Sequence, residues 1–318
     1  MNMLQKLCTI YRRIQLGEKF KHQYNCHPSF NIKRGNNACI VLWNKLEIAE
    51  IPFAHQLQNT FHGSCFVIAS GPSLAEVDLQ SIASYDTISL NCAIKKFNDS
   101  AIKPTHCIIV DRRIFDTQWA CVKASILSGA NCFFSYDGLS RICEREPALL
   151  KQGNIFLIES ISRKFGIPRP TKLACQTDFY NDSEVFVDDK LPELCRSVGF
   201  SANLEKGLFS GKTVATWATQ LSVALGYRKV FIIGMDLGGT GKKHFYADNN
   251  NKTPDFMRDY EPHIRACFEQ VRRASLVEGF EVYNLSKDST LPHEIIPKID
   301  IEEALKLAKK NLPTKNNH

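Results

Sequence analysis

Ser64 to Leu74 reads SCFVIASGPSL, and this stretch decides the fold. Cys65-Phe66-Val67-Ile68-Ala69 is continuously apolar, the pattern of a strand buried on both faces, which is how strands of a parallel sheet read. Ser70-Gly71-Pro72-Ser73 then forms a tight turn, and Leu74 to Ala83 is expected to be helical. The same grammar repeats downstream. Asp86–Leu90 is a strand ending at Asn91, followed by a short helix over 93–97. Thr105–Val110 is a buried-type run ending at Asp111, and residues 130–135 and 155–159 read as further strands. Lys212–Leu225 places Val214, Trp217, Ala218, Leu221 and Leu225 on one helical face. Lys229–Ile233 is a strand ending at Gly234-Met235-Asp236, and a helix over 261–277 leads to a last strand over 280–285. Apolar strands alternating with helices predict an α/β fold, a Rossmann-like parallel sheet with helices on both faces.

The chain divides into three parts. Residues 1–62 form a basic, amphipathic N-terminal extension, 63–299 the Rossmann-like domain, and 300–318 a basic C-terminal tail. Residues 160–205 have no clear period and contain Pro168, Pro170 and Pro192, so they read as an inserted, lid-like segment. In the extension Leu4, Leu7, Ile10, Tyr11 and Ile14 recur at helical spacing opposite Lys and Arg. This face is expected to pack on its own domain, with contact to an anionic membrane surface through the basic termini as the alternative.

The 318 residues carry a formal charge of +7, too mild to point to nucleic acid as a partner, and 44% hydrophobic content excludes disorder. The 12 cysteines show no CxxC pair and sit in apolar runs such as Cys65, Cys107 and Cys132, as small buried hydrophobes of a reducing compartment do. Lys6, Arg12 and Arg13 interrupt any leader-like apolar run, and none approaches the ~20 residues of a membrane span. These features predict a cytoplasmic protein, associated with a membrane surface at most and not inserted in it.

Ligands of open parallel sheets bind beyond the carboxyl ends of the strands. The residues there are Ser70, Gly71, Pro72 and Ser73, then Asn91, Asp111 with Arg112, and Asp236, joined by Ser210-Gly211-Lys212 at a helix start. Consecutive strands ending in amides and carboxylates exceed what turns alone require. SGPS also serves as an ordinary N-cap, so its weight comes from its neighbours. Ser210-Gly211-Lys212-Thr213 spells the end of a P-loop, but Lys206 occupies the position of the required glycine, and that reading is rejected. After Asp236 a glycine-rich loop carries Lys242, Lys243, His244 and Tyr246, suited to clamping an anionic leaving group, and His263 opens the late helix. No Asp-x-Asp pair occurs, so a transfer reaction here is expected to need neither metal nor cofactor.

VIASGPSL, Asn91 and FSGKTVATWATQLSVALGYRKVFIIGMDL resemble the bacterial sialyltransferase-like group. With GMDLGGTGKKHFYAD, Thr253-Pro254, Arg258-Asp259 and VYNLSKDST they are more similar still to the lipopolysaccharide-core Kdo (3-deoxy-manno-octulosonate) transferases, over about residues 65–299. The resemblance implies a glycosyltransferase of lipopolysaccharide core biosynthesis. Its substrates would be CMP-Kdo, a CMP-activated acidic sugar, and a lipid A-core acceptor. It places Gly71-Pro72-Ser73 and Asn91 at the CMP phosphate and ribose, Ser210 and Gly211 at the cytidine or sugar, and Tyr246 at the departing phosphate. It makes His263 or Asp111 the general base. Departures from the sialyltransferase pattern are Gly238 in place of a second phosphate-binding tyrosine, a missing arginine before Ser210, and Asp111 in place of an asparagine. Lys242, Lys243 or Arg112 are candidates to compensate. The alternatives are a transferase of another CMP-activated acidic sugar, a pterin diphosphokinase-like enzyme, and a non-catalytic sugar-nucleotide-binding protein.

Overall fold

The computed structural model describes residues 3–238 and 256–309. Ahead of the main sheet lies a helix, α1 (Met3–Leu16), and a three-stranded antiparallel sheet of β1 (Phe30–Arg34), β2 (Ala38–Trp43) and β3 (Leu46–Pro52). The first 62 residues are therefore more than an extension. Phe30 and Ile32 of β1 alternate inward, as a half-buried strand requires. Asn44 and Lys45 turn the β2–β3 hairpin with φ of 51° and 68°, the left-handed pair of a type I′ turn. Asn-Lys lacks the glycine that usually announces such a turn.

The main sheet contains β4 (Ser64–Ile68), β5 (Asp86–Leu90), β6 (His106–Ile109), β7 (Asn131–Phe134) and β8 (Asn154–Leu157). A separate antiparallel pair, β9 (Val185–Phe186) and β10 (Phe200–Ser201), precedes its last two strands, β11 (Lys229–Ile233) and β12 (Glu281–Asn284). All seven strands are parallel, in the order β12-β11-β4-β5-β6-β7-β8. The chain runs outward one way from β4 to β8 and returns on the other side with β11 and β12. The order thus reverses between β4 and β11, the crevice where doubly wound sheets bind ligands.

Both faces are covered, as the apolar run of β4 requires. Phe66 and Ile68 join one core with α2 (Ile94–Asn98), α3 (Arg112–Thr117), α4 (Trp119–Leu127) and α5 (Tyr136–Arg145). After α6 (Lys172–Tyr180), helix α7 (Val214–Leu225) lies against the other face, where Cys65 and Val67 pack. It is joined there by a long helical rod. The rod starts as α8 (Phe256–Asp259), passes through a π turn (Tyr260–Arg265) and continues as α9 (Ala266–Glu278). Helix α10 (Ile301–Lys309) buries Ala304 and Ala308 in the first core, so residues 301–309 are a packed element rather than a tail.

One further expectation needs correction. Leu74–Ala83 is not one helix but two 3-10 turns, Pro72–Glu76 and Leu79–Ile82, because Val77 and Asp78 are extended and the Asp78 carboxylate caps Gln80 N–H at 2.9 Å. The 160–205 segment, read from sequence as an inserted, lid-like stretch, carries α6 and the β9–β10 pair, and Arg273 of α9 holds it through the Val187 carbonyl at 3.1 Å. The eleven described cysteines are all buried and free, as expected.

At the amino edge of the sheet, Tyr227 Oη donates to Asp86 at 2.8 Å and lies 3.0 Å from His106 Nε2. Burial pushes His106 down to about 4, so it stays neutral, and this satisfied polar group is structural.

Candidate functional site

The site is built on the turn that follows β4. Gly71 N–H donates to the Gly234 carbonyl at 2.9 Å, tying the ends of β4 and β11 across the crevice. A Cβ at Gly71 would collide with Asp236 Oδ2 and the Gly234 carbonyl, so the close approach, not an unusual φ, demands glycine. Ser73 N–H donates to Asp236 Oδ2 at 2.9 Å, and Ser73 Oγ lies 3.1 Å from Ser286 Oγ beyond β12. Ser286 was not singled out by sequence. It obeys the same rule of polar residues at strand ends, and the end of β12 was the place to look.

Along this edge several polar atoms are buried without a hydrogen-bond partner among the described residues: Asn91 Oδ1, Asp236 Oδ1, Asn284 Nδ2 and His263 Nδ1. Asp236 is 3% exposed, and among the described residues no cation pairs with it. Buried polar groups are normally satisfied, so several of them at one sheet edge make it the candidate ligand site. Asn91 holds φ of 51° as the chain leaves β5, a left-handed turn that asparagine tolerates. Strand ends are ~4.8 Å apart, which sets Asp236, the Ser70 turn, Asn91 and Asp111 in one row.

Asp111 is more occupied than expected. It caps α3 by accepting from Arg113 N–H at 2.9 Å and takes the Arg113 guanidinium at 2.6 Å. Arg112 pairs with Asp116 at 3.1 Å. Both sit in the row, but Asp111 serves as helix cap and ion-pair partner.

His263 does not open a helix. It lies in the π turn one residue after Pro262, whose missing N–H removes an α-type hydrogen bond and shifts the ladder there. Proline inside a helical pattern was the legible signal of this irregularity. Tyr260 Oη donates to the Thr290 carbonyl at 2.7 Å, and Thr290 Oγ1 donates to the Leu237 carbonyl at 3.0 Å. The π turn is thereby fixed relative to the end of β11. Burial lowers the His263 pKa, Lys212 lowers it further, and Asp259 opposes them. The imidazole is thus held neutral near pH 7.

Lys212 reaches that position through two consecutive left-handed residues, Gly211 (φ 47°) and Lys212 (φ 61°). Gly211 N–H is used by the Ser197 carbonyl at 2.9 Å, and the Ser210 carbonyl by Thr216 Oγ1 at 2.9 Å. Gly211 N–H is therefore committed within the fold, which agrees with rejecting the P-loop. Lys242, Lys243, His244 and Tyr246 lie outside the described residues.

A family model for "3-deoxy-D-manno-octulosonic acid transferase WaaZ" matches residues 48–302. A probable 3-deoxy-manno-octulosonic acid transferase of Escherichia coli K12 is 22% identical over 263 residues, covering 78% of this chain and 86% of the relative. Its Salmonella typhimurium LT2 namesake is 22% identical over 241 residues, with 75% and 87% covered. The sialyltransferase CstII of Campylobacter jejuni, solved with cytidine-5'-monophosphate, aligns at a TM-score of 0.41 and 12% identity over 74% of this chain and 84% of its own. The MAf glycosyltransferase of Magnetospirillum magneticum aligns at 0.42 and 13% over 85% of this chain, which spans 41% of that longer one. With most of its length matched by the family model, the chain belongs to the WaaZ family of 3-deoxy-D-manno-octulosonic acid transferases.

Proposed function

We propose that this glycosyltransferase moves Kdo from CMP-Kdo to a hydroxyl of the lipopolysaccharide core by direct displacement, without a metal or cofactor. The observation that carries the reading is the set of unpartnered buried polar atoms at the crevice, on Asn91, Asp236 and Asn284, beside a histidine held neutral. Ser70, Gly71, Pro72, Ser73, Asn91 and Asp236 would line the nucleotide half, with Ser210, Gly211 and Lys212 toward the sugar. His263 takes the proton of the acceptor hydroxyl, whose oxygen bonds to the anomeric carbon. The bond from that carbon to the phosphate oxygen breaks, and CMP leaves with the electron pair. Asp111 is the less accessible candidate, since three Arg113 N–H groups already occupy its oxygens. Lys212 is a cation available to the departing phosphate, and Arg112 would have to leave its ion pair with Asp116 to join it. Tyr246, Lys243 and His244 remain candidates for the same task on sequence grounds.

CMP should stabilise the protein in the absence of divalent metal, by about 2.7 kcal/mol at a hundredfold excess over its Kd. A thermal shift that requires magnesium, or none with CMP, would overturn the donor assignment. Lipopolysaccharide from a deletion strain should lack one Kdo residue.

We also propose that α1 meets an acidic membrane surface. The helix is turned opposite to expectation: Arg12 points inward, donating to the His27 and Phe30 carbonyls at 2.8 and 2.5 Å, while Leu7, Ile10, Tyr11 and Ile14 are exposed. Exposed Arg13, Lys19 and Lys21 lie on or beside it. An apolar stripe flanked by cations suits acidic lipid headgroups. Helix α10 does not share this role, since its Leu307 and Ala308 carbonyls are tied to Lys229 and Ser64 at the sheet's amino edge. No described helix is long and apolar enough to cross a membrane. The protein should co-sediment with vesicles containing acidic phospholipid, and Ile14→Glu should release it while CMP binding is unchanged. Equal sedimentation of both proteins would sink the idea.

A further inference from the structure

Beyond the crevice, the stretch after β8 gathers three arginines. Arg196 Nη1 donates to the Pro170 carbonyl at 3.2 Å, next to Arg169, and Ser162 Oγ donates to the Arg196 carbonyl at 2.7 Å, next to Arg163. Backbone and side-chain bonds therefore hold Arg163, Arg169 and Arg196 together. Among the described residues no carboxylate forms an ion pair with any of them, whereas Arg34, Arg141 and Arg265 all have one. Arg169 Nε is buried without a hydrogen-bond partner among the described residues. Burial, then Arg163 and Arg196, pull the Arg169 pKa down, as expected of like charges brought together. Asp137 lies close enough to feel Arg163, but three clustered guanidinium groups without an ion-pair partner among the described residues are costly unless an anion joins them.

The cluster's position indicates whose anion this is. At ~4.8 Å per strand, the end of β8 lies roughly 19 Å along the sheet from that of β4, outside the nucleotide crevice. It is nevertheless joined to the base: Ser197, adjacent to Arg196, accepts Gly211 N–H at 2.9 Å, and Lys212 follows beside His263. A molecule offering its hydroxyl to His263 could extend its far end over the arginines. We propose that Arg163, Arg169 and Arg196 form a subsite for an anionic substituent, a carboxylate or phosphate, of the acceptor saccharide. This rests on the glycosyl-transfer reading above.

The test is a binding titration of the full-length protein with deacylated inner-core oligosaccharide, measured separately from CMP. Arg163→Gln is the first variant, since Arg163 is exposed and its guanidinium holds no other element among the described residues. The oligosaccharide Kd should rise about tenfold, the loss of one charge-assisted contact, while the CMP Kd is unchanged. Arg163→Lys should recover part of the affinity. Phosphatase-treated oligosaccharide distinguishes the sources. If the effect of Arg163→Gln vanishes with it, the anion is phosphate; if the effect persists, it is a sugar carboxylate. An oligosaccharide Kd equal in wild type and Arg163→Gln overturns the subsite, as does an equal rise in the CMP Kd. Failure of CMP to bind the wild type overturns the donor assignment instead, and leaves the oligosaccharide titration readable.

Discussion

His263→Ala should lower kcat by about 10²–10⁴-fold, the usual worth of a positioned base, while the stabilisation by CMP is retained. The imidazole sits on a π turn rather than on regular helix, and its buried Nδ1 is left without a partner among the described residues. The pH profile carries a sharper signature. The base must be unprotonated, and burial and Lys212 both lower its pKa from 6.5. The acid limb of kcat should therefore fall below pH 6.5. Lys212→Gln removes one of the two lowering influences, so it should move that limb upward. A His263→Ala protein that retains full transfer would return the role to Asp111. A limb that ignores Lys212→Gln would show that another group titrates.

Gly71→Ala should be the most damaging small substitution in the crevice. The added methyl meets two oxygens, one from the Asp236 carboxylate and one from the Gly234 carbonyl. Neither can retreat freely: Asp236 Oδ2 accepts Ser73 N–H, and the Gly234 carbonyl accepts Gly71 N–H. Overpacking costs about 1–3 kcal/mol, and the upper end applies where the contact is with oxygen. At about 2–4 °C per kcal/mol for a large domain, the melting midpoint should drop by roughly 6–12 °C. The CMP-induced shift should disappear with it. Ser73→Ala is the control, since it keeps the amide bond to Asp236 and loses only the hydroxyl beside Ser286. A Gly71→Ala protein with wild-type melting and CMP binding would mean that the strand ends separate more easily than their hydrogen bonds indicate.

The main sheet was legible because most of its strands carry a short apolar run closed by a polar residue. Strand β5 falls on the residues read from sequence, Asp86–Leu90, and β11 on Lys229–Ile233. The small antiparallel sheet was not legible, because its β2–β3 turn uses Asn44-Lys45 and its strands lie beside a strongly helical pattern. The orientation of α1 was misread for a related reason. Periodicity identifies an apolar stripe but not what it faces, and Arg12 reached two backbone carbonyls that no local pattern reveals. At the site, Ser70 to Ser73, Asn91, Asp111 and Asp236 stand at strand ends as expected. What sequence could not supply was occupancy. Asp111 is capped and paired, whereas Asp236, which sequence treated as one residue among several, is buried with a free oxygen among the described residues.

Asp236 also fixes the mechanics of the crevice. Its bond to Ser73, with that from Gly71 to Gly234, works like a pair of rivets between neighbouring strands. A slot riveted at both lips has one width, so under the donor proposed above it would sort nucleotides by shape on first encounter rather than by closing around them. Little chain freedom remains to be lost there on binding, and affinity at this edge then depends on the contacts themselves.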